Sequence, residues 1–145
     1  MGKEKLVAPC GLYCGGCYVF KAGRDKALAQ EVATRYGVSP DEVRCRSCRV
    51  EKGACKLLFK GRVCPTYNCA VNLKKLNFCY ECEDFPCLKL APAADRAQEI
   101  PHNMKIYNLV SIQKMGLQNW LKQAEIRWDQ YYQGKKPRGG DDLQV

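Results

Sequence analysis

Apolar positions recur at helical spacing in two widely separated parts of the chain. Near the carboxyl-terminal end, Leu117, Trp120, Leu121, Ala124, Trp128, Tyr131 and Tyr132 fall at i, i+3, i+4, i+7, i+11, i+14 and i+15. One continuous stripe of this kind predicts an amphipathic helix, which Gly134 would stop. Upstream, Met104 to Met115 reads as a helix ended by Gly116. Pro92 to Glu99 reads as another, with proline at its start and Pro101 just beyond its end. In the amino-terminal part, Leu28, Val32 and Tyr36, flanked by Ala29 and Ala33, predict a helix from about Tyr18 to Tyr36 capped by Gly37. Ser39-Pro40-Asp41-Glu42 predicts a short helix in which Ser39 caps, Pro40 takes the first position and Glu42 closes a capping box. Lys60-Gly61 is expected as a turn between two short strands within Lys56 to Val63, and Val71 to Asn77 as a short helical turn.

Between the stripes the periodicity fails and cysteine takes over. Eight of the eleven cysteines, Cys45, Cys48, Cys55, Cys64, Cys69, Cys79, Cys82 and Cys87, lie within residues 45–87. Cys10, Cys14 and Cys17 precede them in a glycine-rich turn, and none follows Cys87. Three C-x-x-C pairs are present: Cys14/Cys17, Cys45/Cys48 and Cys79/Cys82. That spacing lets two thiolates from one tight turn reach a single ion, and tetrahedral zinc takes four such ligands at about 2.3 Å each. Segment 45–87 has few apolar runs with which to close a core. A structural zinc supplies about 10–16 kcal/mol in small peptides, more than the net stability of many whole domains.

Several ligand groupings satisfy the spacing. Cys45, Cys48, Cys64 and Cys69 form one natural set, leaving Cys79, Cys82 and Cys87 to take a fourth ligand from Cys10, Cys14 or Cys17. Alternatively Cys55 joins Cys45, Cys48 and Cys64, and Cys69 joins the later three. Cys10-x3-Cys14-x2-Cys17 also resembles the cluster motif of radical S-adenosylmethionine enzymes, where three cysteines hold a four-iron cluster. Against that, no strand–helix alternation follows, and Gly16 stands where those enzymes carry an aromatic residue. An iron–sulfur cluster serving redox chemistry is therefore the alternative to zinc. His102, the only histidine, sits between Pro101 and Asn103 and reads as a loop residue, although it would complete a Cys3His site.

Charge modifies this picture. Between Arg44 and Arg62 seven cations face one anion, Glu51, within a chain of formal charge +9. Metal-bound cysteines are thiolates, so four of them around a dipositive zinc carry −2, and two such sites lower +9 to +5. Part of the basic run then compensates the metal sites. Its second use would be nucleic-acid binding through residues 44–62, with Phe59 and Tyr67 stacking on bases. The acidic trio Glu81, Glu83 and Asp84 reads as loop solvation. No phosphate-binding loop, Ser–His–Asp set or zinc-protease helix is present, so no catalytic residue is assigned and the balance leans away from an enzyme. The start of the chain is charged, no apolar run reaches membrane-spanning length, and position 6 fails the myristoylation pattern. With an odd number of cysteines, this points to a reducing cytoplasm and to metal rather than disulfides.

The string Ala8-Pro9-Cys10-Gly11-Leu12-Tyr13-Cys14-Gly15-Gly16-Cys17 resembles the opening of a cysteine-rich prokaryotic family catalogued as domain of unknown function 3795. So do Cys45-Arg46-Ser47-Cys48, Cys64-Pro65-Thr66-Tyr67-Asn68-Cys69-Ala70 and Cys79-Tyr80-Glu81-Cys82-Glu83-Asp84-Phe85-Pro86-Cys87. The resemblance covers about residues 8–88. It implies zinc binding and a ligand frame of Cys10, Cys14, Cys17, Cys45, Cys48, Cys64, Cys69, Cys79, Cys82 and Cys87. Cys55 and the helical part after Pro92 stand outside that frame. The resemblance implies no reaction and no substrate.

The expectation is one domain over residues 1–145. It is mainly α, with a small irregular or β, zinc-knuckle-like cysteine-rich segment held by structural zinc. Residues 8–91 form the metal-binding part, 92–133 the helical part and 134–145 a mobile tail. The functional expectation is a binding or scaffold module with an unidentified protein partner and no membrane association.

Overall fold

The structure, a computed structural model, describes residues 2–90 and 104–132, with the side chains of the last helix described as far as Asp129. The helix expected at Pro92 to Glu99, His102 and the tail after Gly134 lie outside the described residues. Elsewhere helices dominate, as the apolar stripes predict. No helix among the described residues is long and apolar enough to cross a membrane.

The single amino-terminal helix expected from Tyr18 to Tyr36 is two helices, α1 (Tyr18–Ala22) and α2 (Lys26–Tyr36). The break has a local cause. Asp25 adopts an extended backbone, and its Oδ1 accepts the N–H groups of Ala27 and Leu28 at 2.9 and 3.1 Å, starting a new helix. Ala29, Val32 and Ala33 then face inward as one buried stripe. Gly37 ends α2 in the left-handed conformation at φ 65°. The N–H groups of Gly37 and Val38 return to Thr34 O and Ala33 O, satisfying two otherwise orphaned carbonyls. The capping box at Ser39 is present over the one-turn helix Pro40–Glu42, with the Glu42 carboxylate 2.8 Å from the Ser39 N–H.

The strands expected around Lys60-Gly61 are absent. Lys56–Phe59 forms a single helical turn, α3. Lys60 and Gly61 then reverse the chain at φ 50° and 77°, so the turn exists but its flanks are not extended. Leu57 and Phe59 both pack against the α1–α2 core. A solitary two-stranded ribbon, marginal in water, would not provide that burial. Among the described residues the only β pairing is an isolated antiparallel bridge, Val7 with Tyr13. The helical turn expected at Val71 to Asn77 begins earlier. Pro65 takes the first position of α4 (Pro65–Tyr67), which widens into a π-helical turn at Asn68–Leu73.

The carboxyl-terminal helices have their predicted bounds: α5 is Met104–Met115 and α6 is Leu117–Tyr132, with Gly116 at φ 80° between them. Trp120, Leu121 and Ala124 are buried. Helix α5 packs on the one-turn helix Cys79–Glu81, and α6 on the Lys3–Leu6 turn.

Two apolar clusters result, with cysteines at the edges of both. One gathers Val7, Tyr13, Phe78, Leu109, Ile112 and Trp120, with Cys10, Cys79 and Cys87 against it. The other gathers Val19, Ala22, Val32, Val43 and the buried Cys55, with Cys17 and Cys45 against it. Two glycines of the 10–17 turn are demanded by the helices that approach them. Gly11 has φ 84°, and a Cβ there would lie 2.6 Å from Lys105 O on α5. A Cβ on Gly16 would fall inside the Trp128 ring.

Candidate metal centre

Four cysteines line one cavity. The π-helical turn carries Cys69, the Cys79–Glu81 turn presents Cys79 and Cys82, and Cys87 directly precedes the Leu88–Leu90 turn. All four line a space of about 30 Å³, together with Thr66, Lys74 and Phe85. Lys74 Nζ lies 3.0 Å from Cys82 Sγ and 2.6 Å from Asp84 Oδ2. Asp84 and then Cys82 hold the ammonium in its charged form by hydrogen bonding, so a fixed cation stands at the rim of the thiol cluster. Burial pushes the Cys79 thiol up to about 12, with further upward contributions from Cys10, Cys87, Cys69 and Cys82. One acid of the predicted solvated trio, Asp84, thus has a specific partner.

Cys10, Cys14, Cys48 and Cys64 act on one another electrostatically, while Cys17 acts on Cys14 and Cys10 on Cys79 as well. Cys48 is raised chiefly by burial and then by the charges of Cys10, Cys14 and Cys64. Cys10 is raised by burial and further by Cys64. Burial pushes Cys14 up to about 11, opposed by a hydrogen bond from the Cys48 amide, whose N–H points at Cys14 Sγ from 3.4 Å. Amide N–H donation to sulfur is the outer-shell contact that orients a thiolate ligand. The Arg49 guanidinium acts favourably on both Cys14 and Cys48, and Lys105 on Cys10.

The third group is Cys45, Glu51 and Cys55, whose donor atoms all lie within 4.8 Å of one another. Among the described residues it is the only set of three or more such side chains so closely spaced. Cys45 and Cys55 share a hydrogen bond, which raises Cys45 and holds Cys55 down. Cys17 packs against the same apolar cluster.

The structure therefore divides one of the three C-x-x-C pairs, Cys45/Cys48, between groups. Cys45 and Cys48 part because Ser47, fully buried at φ 104°, turns the chain between them. Cys14 accepts the Cys48 amide and also feels the charge of Cys17, which packs against the α1–α2 cluster. Cys64 and Cys69, five residues apart on a helical segment, face different groups. The set Cys45, Cys48, Cys64 and Cys69 is consequently not brought together. Cys69 does join the later three, and Cys55 lies beside Cys45. Nothing in the sequence marks Lys74 or Arg49 as a partner of the thiol groups. Glu51 carried a signal, as the one anion among seven cations.

The basic run is not one face. Arg44, Arg46, Lys52, Lys56, Lys60 and Arg62 are exposed. Arg49 turns inward instead, donating from Nε to Val7 O at 2.6 Å and from Nη2 to Asn77 O at 2.7 Å. Tyr67 is buried and Phe59 half-buried, so these two aromatic rings do not form an open stacking platform beside the cations.

A family model described as "Protein of unknown function (DUF3795)" matches residues 6–92. No curated protein and no solved structure matches the chain.

Proposed function

The chain belongs to the DUF3795 family, whose description assigns no function, and we propose a zinc-binding module whose cysteines hold metal structurally rather than catalytically. The observation that carries this is that Cys69, Cys79, Cys82 and Cys87 line one cavity, with the Lys74 ammonium against Cys82. That donor set is the closed four-thiolate set of structural zinc. Four thiolates can hold either zinc or an iron–sulfur cluster, and the metal content of the purified protein decides between them. Cys10, Cys14, Cys48 and Cys64 supply a second four-thiolate set, with Arg49 and Lys105 offsetting its charge. On this reading the module presents a metal-stiffened surface to a partner protein.

The test is elemental analysis of protein purified without oxygen, with a visible spectrum of the same sample. At least two zinc per chain and a colourless solution are expected, and Cys79→Ser should lose about one zinc. Iron with acid-labile sulfide and a brown solution would overturn the reading.

A further inference from the structure

The third group differs in kind from the two four-thiolate sets. We infer that Cys45, Cys55 and Glu51 form an additional metal site for a thiophilic divalent cation such as zinc, with two sulfur ligands, one carboxylate ligand and a fourth position open to an external donor. The site shares only Cys45 with the cysteine frame implied by the family pattern, because its other ligands are Cys55 and a carboxylate. It is also separate from the two sets on which the proposed function rests.

Distance is the first argument. In tetrahedral zinc with sulfur at about 2.3 Å and oxygen at about 2.1 Å, neighbouring donors lie roughly 3.3–3.8 Å apart. Cys45 Sγ, Cys55 Sγ and a Glu51 carboxylate oxygen already lie within 4.8 Å of one another, so only a small closure is needed to bind an ion.

The environment of Glu51 is the second argument. It is the sole anion between Arg44 and Arg62, surrounded in sequence by seven cations that would pair with it at the surface. Instead its side chain is only 14% exposed and sits beside two thiols. Its one ion pair is with Arg46, at a loose 3.6 Å and with Arg46 itself 76% exposed. A carboxylate and two ionisable thiols in mutual contact repel one another once charged, and a shared cation resolves that conflict.

Preorganisation is the third. The Arg46 amide donates to Glu51 Oε1 at 3.0 Å, fixing the carboxylate. The loop from Cys45 to Cys55 is closed by Glu51 N–H to Ser47 O and Gly53 N–H to Cys48 O. Gly53, at φ 80°, lets the loop lie on Tyr67, where a Cβ would come within 2.6 Å of the ring. Both sulfur ligands are anchored in the α1–α2 cluster.

Three protein ligands and an open position are the hallmark of zinc that exchanges or polarises a bound molecule, in contrast to closed structural sites. The ion here should leave first on chelation and should accept a small thiolate as its fourth ligand.

Native mass spectrometry of the full chain, purified without oxygen and titrated with zinc, counts the ions. Wild type should bind three. Glu51→Gln and Cys55→Ser should each hold two, with a third appearing only at tenfold or more higher zinc. Glu51→Gln keeps the test sound should Cys55→Ser, at a buried position, fail to fold. Cobalt substitution supplies an independent readout. The visible bands of the weakest-bound cobalt should shift on adding a small thiol in wild type, and that component should be missing in Glu51→Gln. A wild type that saturates at two ions, with Cys79→Ser reduced to one and Glu51→Gln unchanged at two, overturns this site and leaves the structural sites standing. Three ions retained in both Glu51→Gln and Cys55→Ser also overturn it. A cobalt spectrum indifferent to thiol refutes the open position.

Discussion

Arg49 shows how one side chain can serve both the apolar core and the thiol groups. Its guanidinium joins Val7 O to Asn77 O, stacks 4.7 Å from the centroid of Phe78 and acts favourably on Cys14 and Cys48. Arg49→Met keeps the apolar stem but leaves two carbonyls without this donor. The expected loss is about 2–3 kcal/mol in denaturant unfolding of the zinc-loaded protein. Arg49→Lys should recover less than half, because an ammonium cannot reproduce the planar fork that spans both carbonyls. Full recovery by lysine would reduce the role of Arg49 to charge alone. In the sequence Arg49 was one cation among seven. Nothing in its neighbours distinguished it, because its partners lie 42 and 28 residues away.

Among the elements, legibility followed how local the determining interactions are. The bounds of α5 and α6, the Gly37 cap and the Ser39 capping box depend on residues within one or two turns, and all were readable. The Tyr18–Tyr36 segment was only half readable, because the apolar stripe ran on while the Asp25 cap restarted the helix. Asp25→Ala removes the acceptor for the Ala27 and Leu28 N–H groups and should cost about 1 kcal/mol. Asp25→Asn or Asp25→Ser should retain most of that stability. An unchanged unfolding midpoint for Asp25→Ala would mean that packing alone positions the start of α2. At Lys56–Phe59 the turn was legible from Lys60-Gly61, but the flanking conformation was decided by the core that Leu57 and Phe59 meet.

At the scale of the molecule, the thiol groups lie at the edges of two separate apolar clusters and join them through the cysteine-rich segment. Removing metal should therefore affect the whole fold. Each structural zinc is worth about 10–16 kcal/mol in small peptides, against about 5–15 kcal/mol for the net stability of a typical domain. Chelation under reducing conditions should broaden the amide proton spectrum and expose Trp120, and zinc should restore both. A chelated protein with unchanged dispersion and melting would show that the apolar clusters suffice alone. The pH dependence has opposite signs in the two states. With metal bound, protons compete for the thiolates, so stability falls as pH falls. Without metal, burial raises Cys14 to about 11 and Cys79 to about 12. That contribution is full below the ordinary thiol range and is lost as pH rises through those values.

By itself the sequence determined a mainly helical chain, the bounds of its carboxyl-terminal helices and a cysteine chemistry suited to metal. Each follows from composition and short-range spacing. Tertiary structure alone decided which cysteines meet. Spacing within a C-x-x-C pair limits how far apart two sulfurs can be, but not which way each one faces. A buried Ser47 at positive φ sends Cys45 and Cys48 to different neighbours, and a helical segment sends Cys64 and Cys69 to different faces. Glu51 turns from a run of cations to a pair of thiols for the same reason: the loop's closure, set by contacts with Ser47 and Tyr67, fixes its direction where charge in sequence does not.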